Sequence, residues 1–416
     1  MGGVSMEWKH YKMDELIEEI SMGPFGSDVK KVFYVDNGVP ILNGSNLQGF
    51  KLKEDSFGYL TKEKADSLKK CNAHRGDIIV THRGTLGQIV YVPVNSKYDR
   101  YVISQSQFRF RCKADLVDVQ YLVYYFHTRE GQYKILANAS QVGVPALARA
   151  TSTFRLIDIK LPPLDDQRRI ASILSSLDRK IELNNKINAD LEEMAQAIFK
   201  NWFVDFEPFK DGKFVDSELG MIPEGWKVGR LTDVIKLMPG GTPKTSEPLY
   251  WDNGTIPFFS PKDVNGVYCF ATEKHITEAG LNKCSSNLYP KDTIFITCRG
   301  TVGKVCLVAC DMAMNQSNYA IKAIDGYSQY YVFFLVKSVV ERLIKKSNGA
   351  VFSAITSKDF DEEILIPSQK AVEDFTNVID GFFRRIFTIG TENSRLSLLR
   401  DTLLPRLMSG EIEVPE

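Results

Sequence analysis

The chain predicts an α+β protein in which two pseudo-two-fold-related, mixed α/β globules are joined by two long antiparallel coiled-coil helices. Three observations carry this. From Asp165 to Trp202 the sequence runs without glycine or proline and keeps an apolar seam with a 3.5-residue period. A block of the first globule recurs, in the same order, 204 to 217 residues further on. A second long stretch with the same period follows the second copy.

At 416 residues, 44% hydrophobic and 25% charged, the chain is long enough for several cores and has an ordinary globular composition. The longest apolar run, Tyr330–Val336, is too short to span a bilayer, and no membrane partner is expected. The N-terminus lacks the apolar core of a signal peptide, and Met6 stands where myristoylation needs Ser or Thr. Met6 is itself a candidate natural start. Seven scattered cysteines form no C-x-x-C ligand sets, which fits reduced thiols in a cytoplasmic protein and argues against a metal site.

In chain order, residues 1–162 make the first globule. It opens with a short amphipathic helix near Met13–Ile20. Gly23-Pro24-Phe25-Gly26-Ser27 is turn chemistry, and strands are predicted at 76–81 and 107–112. Residues 163–207 make the first helix. Its seam runs through Ile170, Leu174, Leu177, Ile181, Asn184, Asn188, Leu191, Ala195, Ile198 and Trp202. About 40 residues at 1.5 Å each give a rod of roughly 60 Å. Residues 208–226, rich in glycine and proline, form a connector.

Residues 227–366 repeat the first globule. Ile78-Ile79-Val80-Thr81-His82-Arg83-Gly84-Thr85-Leu86-Gly87 returns as Ile294-Phe295-Ile296-Thr297-Cys298-Arg299-Gly300-Thr301-Val302-Gly303. Gln105-Ser106 returns as Gln316-Ser317, and Ile159-Lys160-Leu161-Pro162 as Ile364-Leu365-Ile366-Pro367. Residues 367–416 hold the second helix and a tail. Ser368 is its N-cap, and its seam runs through Val372, Phe375, Ile379, Phe382, Ile386, Ile389, Asn393, Leu396, Leu399 and Leu403. Pro405 should kink or end it, and Gly410 should mark its stop. Packing the two seams antiparallel would put the globules at opposite ends. Asparagines at seam positions 184, 188 and 393 either fix the register through buried amides or face solvent where the seam drifts toward Leu183 and Ile187.

Charge is uneven although the net is zero. The first globule carries 22 basic against 17 acidic residues and residues 227–367 carry 16 against 14, whereas the two helical segments are both net acidic. A polyanion would therefore meet the globules, and the helices suit a protein partner.

Enzyme motifs fail when checked. Gly300-Thr301-Val302-Gly303-Lys304 looks like the end of a phosphate-binding loop. However, Cys298 replaces the first glycine and Val305 the hydroxyl residue. No dinucleotide fingerprint, nucleophile elbow, H-E-x-x-H or adenine-gripping N-P-P-aromatic motif is present. The candidate nucleic-acid contacts are the repeated Arg-Gly-Thr turns, with Arg83 and Thr85 in one copy and Arg299 and Thr301 in the other, since Arg can fork onto guanine. The alternative is that the glycines make a corner and each Arg pairs with a local acid. Thr242 and Lys244 in Gly240-Gly241-Thr242-Pro243-Lys244-Thr245 suit a phosphate, and Lys30, Lys31 and Lys262 are further candidates.

These residues have a familiar frame. Leu161-Pro162-Pro163-Leu164-Asp165-Asp166-Gln167-Arg168-Arg169-Ile170-Ala171 resembles the P-P-L-x-E-Q-x-x-I-A entry to the spacer helix of type I restriction-modification DNA specificity subunits, with Asp166 in place of Glu. Gly220-Met221-Ile222-Pro223-Glu224-Gly225-Trp226 resembles the family's G-x-I-P-x-G-W lead-in, and Leu403–Ile412 its C-terminal signature. The second copy departs at Ile366-Pro367-Ser368-Gln369.

The resemblance implies a non-catalytic subunit whose globules are target recognition domains, each reading half of a bipartite site on double-stranded DNA. The helix pair would set the gap and dock two methyltransferase subunits, with restriction subunits added. S-adenosylmethionine, ATP and Mg would sit on those partners and no cofactor on this chain. A rod of roughly 60 Å covers about 18 base pairs, enough for two half-sites and a gap. Two other classes compete: a coiled-coil adaptor with two protein-binding globules, and an enzyme with an unrecognised site.

Overall fold

The computed structural model describes residues 8–140, 143–324, 326–346 and 354–414, so the start at Met6 lies outside them. The chain divides into two compact units, residues 1–179 with 396–416, and residues 180–395.

Each unit is built on the same plan. In the first, Lys9–Lys12 pairs with Asp158–Leu161, and a four-stranded sheet has the order Ile17–Met22, Gln107–Cys112, Ile78–Thr81, Ile89–Tyr91. In the second, Lys227–Arg230 pairs with Glu363–Ile366, and the sheet runs Ile235–Pro239, Asn318–Ala323, Ile294–Thr297, Val305–Val308, Tyr268–Cys269. The central strands, Ile78–Thr81 and Ile294–Thr297, are buried throughout, as their continuous apolar runs demand. Each unit adds a smaller sheet around Val39–Ile41 or Ile256–Phe259, and helices that cover one face.

The helix expected near Met13–Ile20 is a single turn, Met13–Leu16, followed by the strand Ile17–Met22. From Ile17 on, the alternation pairs with Gln107–Cys112, from Cys112↔Ile17 to Phe108↔Met22, and ladder hydrogen bonds override the weak helical pattern.

The first long helix spans Leu164–Phe203 and ends before Phe206, which adopts a left-handed φ of +57°. The second spans Gln369–Met408, with Ser368 Oγ accepting from Ala371 N at 3.3 Å. Pro405 does not end it, because the helix continues to Met408. The ring costs one hydrogen bond in the last turn, and burial of Leu404, Leu407 and Met408 in the first unit's core offsets it.

Within the first unit, Ile170 and Leu174 share that core with Leu404 and Leu407, and Arg400 reaches Asp178 at 2.8 Å. Within the second, the helix segments run antiparallel. Asn184, 1% exposed, donates to Asn393 Oδ1 at 2.8 Å and to Glu392 Oε2 at 2.9 Å. Asn393 in turn donates to Asn185 Oδ1 at 2.8 Å. Leu183 is exposed and Asn184 buried, so the buried-amide reading holds at Asn184, whereas Ile187 is half-buried alongside Asn188. Half-buried Asn188 reaches the Ile386 carbonyl at 3.5 Å. Leu177, Ile181, Leu191 and Leu396 are half-buried. Phe382 is displaced from the seam by Phe383, which is buried with Phe375 and Ile386. Likewise Phe199 and Phe203 are buried where Ile198 and Trp202 were expected. Both shifts follow from a straight helix turning every 3.6 residues against a 3.5-residue count.

His127 tests the first unit's packing. Its Nε2 donates to the Ile89 carbonyl at 2.9 Å and its ring lies 4.5 Å from that of Phe50. Burial holds its pKa below the ordinary histidine value against the pull of that carbonyl, and nearby Arg400 also lowers it. A depressed histidine contributes stability above the ordinary pKa and loses it as pH falls. Thermal melting is therefore expected to drop by a few degrees, roughly, between pH 7.5 and 5. His127→Gln should flatten that slope; an unchanged slope would refute the assignment.

Candidate nucleic-acid interface

Four loops meet at one end of each main sheet, one of them a hub turn that joins the two sheets. In the first unit the hub is Ser104–Gln107. Gly23 N donates to the Gln107 carbonyl at 2.8 Å, which holds the 23–28 loop against it. A Cβ on Gly23 would lie 2.0 Å from the Ser104 carbonyl oxygen, so only glycine permits this approach. His82 N donates to the Ser106 carbonyl at 2.9 Å and His82 Nε2 to the Gln105 carbonyl at 3.2 Å, bringing in the Arg-Gly-Thr turn. Gln107 Nε2 donates to the Asn43 carbonyl at 3.3 Å, attaching the Gly44–Leu47 turn.

The second unit repeats the two backbone bonds to its hub, Asn315–Asn318, and attaches the remaining loop by a different bond. Gly240 N donates to the Asn318 carbonyl at 3.3 Å, and a Cβ on Gly240 would lie 2.1 Å from the Asn315 carbonyl oxygen. Cys298 N donates to the Ser317 carbonyl at 2.8 Å, and Asn315 N to the Phe259 carbonyl at 3.0 Å, beside the Pro261–Asp263 turn.

The Arg-Gly-Thr turns show what their glycines are for. Gly84 and Gly87 take φ of +86° and +81°, and Gly300 and Gly303 take +77° and +84°, where a side chain is strained. The corner reading of the glycines is therefore right. The matching reading of the arginines is not. Arg83 and Arg299 are exposed at the tips, and neither has an ion pair among the described residues. Their backbones form equivalent bridges, Arg83 with Ala146 and Arg299 with Ala354.

Of the other candidates, Thr85 and Thr301 are exposed beside these arginines. Lys244 is exposed on the 240–245 loop, and its carbonyl accepts from Trp251 Nε1 at 3.1 Å. Thr242 is half-buried and donates its hydroxyl to Gln316 Oε1. Exposed Lys262 lies on the Pro261–Asp263 turn, and Lys30 and Lys31 follow the 23–28 loop. Some basic side chains elsewhere are held in ion pairs: Arg109 and Arg111 hold Asp77, Lys337 holds Glu192, and Lys346 holds Glu362. Sequence reasoning did not select Gln105, Gln316, Asn43 or Ser45. The recurrence of Gln-Ser at matched positions was the available signal.

Residues 6–193 and 223–384 each match the type I restriction modification DNA specificity domain. The chain belongs to this family. Relatives of this specificity family span almost the whole of it. It is 27% identical to the type I restriction enzyme MjaIX specificity subunit of Methanocaldococcus jannaschii, over 100% of this chain and 96% of that one. It is 25% identical to the type I restriction enzyme HindI specificity subunit of Haemophilus influenzae, covering 98% and 100%. The crystal structure of the S subunit of the type I restriction-modification system from M. genitalium shares the specificity-subunit fold, with a TM-score of 0.56, 15% identity and 97% coverage of each chain. Among the described residues no helix is long and apolar enough to cross a membrane.

Proposed function

We propose that this chain is the DNA sequence-specificity subunit of a type I restriction-modification system, and that each unit's four-loop surface reads one half of a bipartite target. The observation that carries it is the recurrence of one loop hub in both units, tipped each time by an exposed arginine that has no ion pair among the described residues. Such an arginine retains its full donor fork for a base edge or phosphate. The loop lysines and threonines would position the duplex through its phosphates.

The subunit supplies specificity and leaves catalysis to others. The long helices would set the gap between half-sites and dock two methyltransferase subunits. Leu183 and Met194 on the first helix and Leu398 on the second are exposed apolar side chains suited to that. S-adenosylmethionine, ATP and Mg would be bound by the methyltransferase and restriction subunits, in the cytoplasm. The adaptor reading has nothing specific in its favour, since its globules need no exposed arginines at matched turns.

The test is exchange of residues 227–366 for the same segment of another family member, in cells that also express the methyltransferase subunits. Methylation-sensitive sequencing is expected to show one half-site replaced and the other retained; a change in both halves overturns independent reading. A two-residue insertion between Asn184 and Asn188 should shift or abolish the preferred spacing. Unchanged spacing on randomised DNA would mean the helices do not set the gap.

A further inference from the structure

Gln105 and Gln316 occupy the same place in their units, one residue before the serine whose carbonyl accepts from the Arg-Gly-Thr turn, and both are exposed. In the first unit the Gln105 amide lies against Gly26, where a Cβ would fall 2.5 Å from Gln105 Oε1. The adjacent residue is Phe25, whose side chain is 82% exposed. Its backbone is nevertheless fixed: Phe25 N donates to the Asp28 carboxylate at 3.2 Å, and Asp28 N to the Phe25 carbonyl at 2.8 Å. A large ring held out on a tied loop contributes nothing to the core. In the second unit Thr242 stands two residues after Gly240, as Phe25 stands two after Gly23. Its hydroxyl donates to Gln316 Oε1, which holds that amide beside it. Each hub thus presents a carboxamide beside a residue carrying an apolar group.

We infer that Gln105 with Phe25, and Gln316 with Thr242, each read one A·T pair in the half-site of their own unit. This rests on the half-site reading above and names the chemistry of each contact. A glutamine amide accepts from adenine N6 and donates to adenine N7, a pairing no other base offers on its major-groove edge. The thymine of the same pair carries the C5-methyl group, on which a Phe ring or the methyl of Thr packs. After accepting from Thr242, Gln316 Oε1 keeps a second lone pair for adenine N6. The two units differ in the apolar half of the contact, so their selection for the methyl group differs in strength.

The experiment uses the full chain in complex with its methyltransferase subunits. A target is first selected from randomised duplexes. Binding is then measured on duplexes with each adenine in turn replaced by 7-deazaadenine, which lacks N7, and each thymine by deoxyuridine, which lacks the methyl group. One adenine in each half-site is expected to lose on the order of ten-fold or more on deaza substitution. Its partner thymine should lose about four-fold on removal of the methyl, most clearly in the first unit's half. Gln105→Ala should abolish the deaza sensitivity and relax base preference at that one pair, and Phe25→Ala should abolish only the deoxyuridine sensitivity. Gln316→Ala should do in the other half what Gln105→Ala does in the first. Because each variant leaves the opposite half-site intact, that half reports on folding. Variants that keep the wild-type preference at every position, or weaken all sequences evenly, overturn the assignment. If selection yields no bipartite motif at all, the half-site reading itself fails, and this assignment with it.

Discussion

Phe375→Ala is expected to destabilise the second unit by about 3–5 kcal/mol, the usual range for emptying a large buried aromatic site. Phe375 is fully buried on the second long helix. Its ring centroid lies 5.0 Å from that of Phe203, 5.9 Å from those of Phe199 and Trp202, and 6.4 Å from that of Tyr331. This one side chain therefore touches both the first long helix and the globule. Several rigid rings cannot collapse together into the space a missing ring leaves, so little of the loss is recovered. Phe375→Leu should cost clearly less, and Val378→Ala, at an exposed site on the same helix, less than about 0.5 kcal/mol. Calorimetric melting checks this, and a loss below about 1 kcal/mol for Phe375→Ala would remove the ring cluster as the anchor.

Asp77→Ala is expected to cost a similar amount, about 3–5 kcal/mol, for a different reason. Asp77 is fully buried and accepts from Arg109 at 3.2 Å, Arg111 at 2.8 Å and His74 N at 2.9 Å. Arg109 is itself 4% exposed, and removing Asp77 leaves its guanidinium with Glu19 and the Lys70 carbonyl alone. The second unit shows that the network is not required by the fold. Ala320, opposite Phe295, stands where Arg109 stands opposite Ile79, and Thr293 precedes the strand where Asp77 does. The double change Asp77→Thr with Arg109→Ala should therefore recover most of the loss. Strictly additive losses in denaturant unfolding would refute that account.

The long helices were legible because a seam repeated over 40 residues outweighs local accidents, and the duplication because its Arg-Gly-Thr turn and closing glycine recur in the same order. What was lost was phase. Phe382 and Phe383 are adjacent, and only the slow rotation of a straight helix decides which one is buried. Met13–Ile20 was misread because a six-residue strand and an amphipathic turn share the same apolar positions, and the partner strand that decides lies some 90 residues away. At the loops, Arg83 and Arg299 stood out through their glycines. Gln105 did not, because its place depends on backbone bonds from His82 and a tight approach by Gly26 that no local pattern encodes.

The division of the chain also orders events during synthesis. Residues 180–395 form an uninterrupted unit that can close as soon as it clears the ribosome. The unit that begins first in the chain cannot. Its core includes Leu404, Leu407, Met408 and Val414, so its apolar face waits, unfinished, through translation of more than half the protein. The earlier-made reader is thus the later to mature, and a message cut short before codon 396 would yield one finished domain tethered to an open, aggregation-prone one.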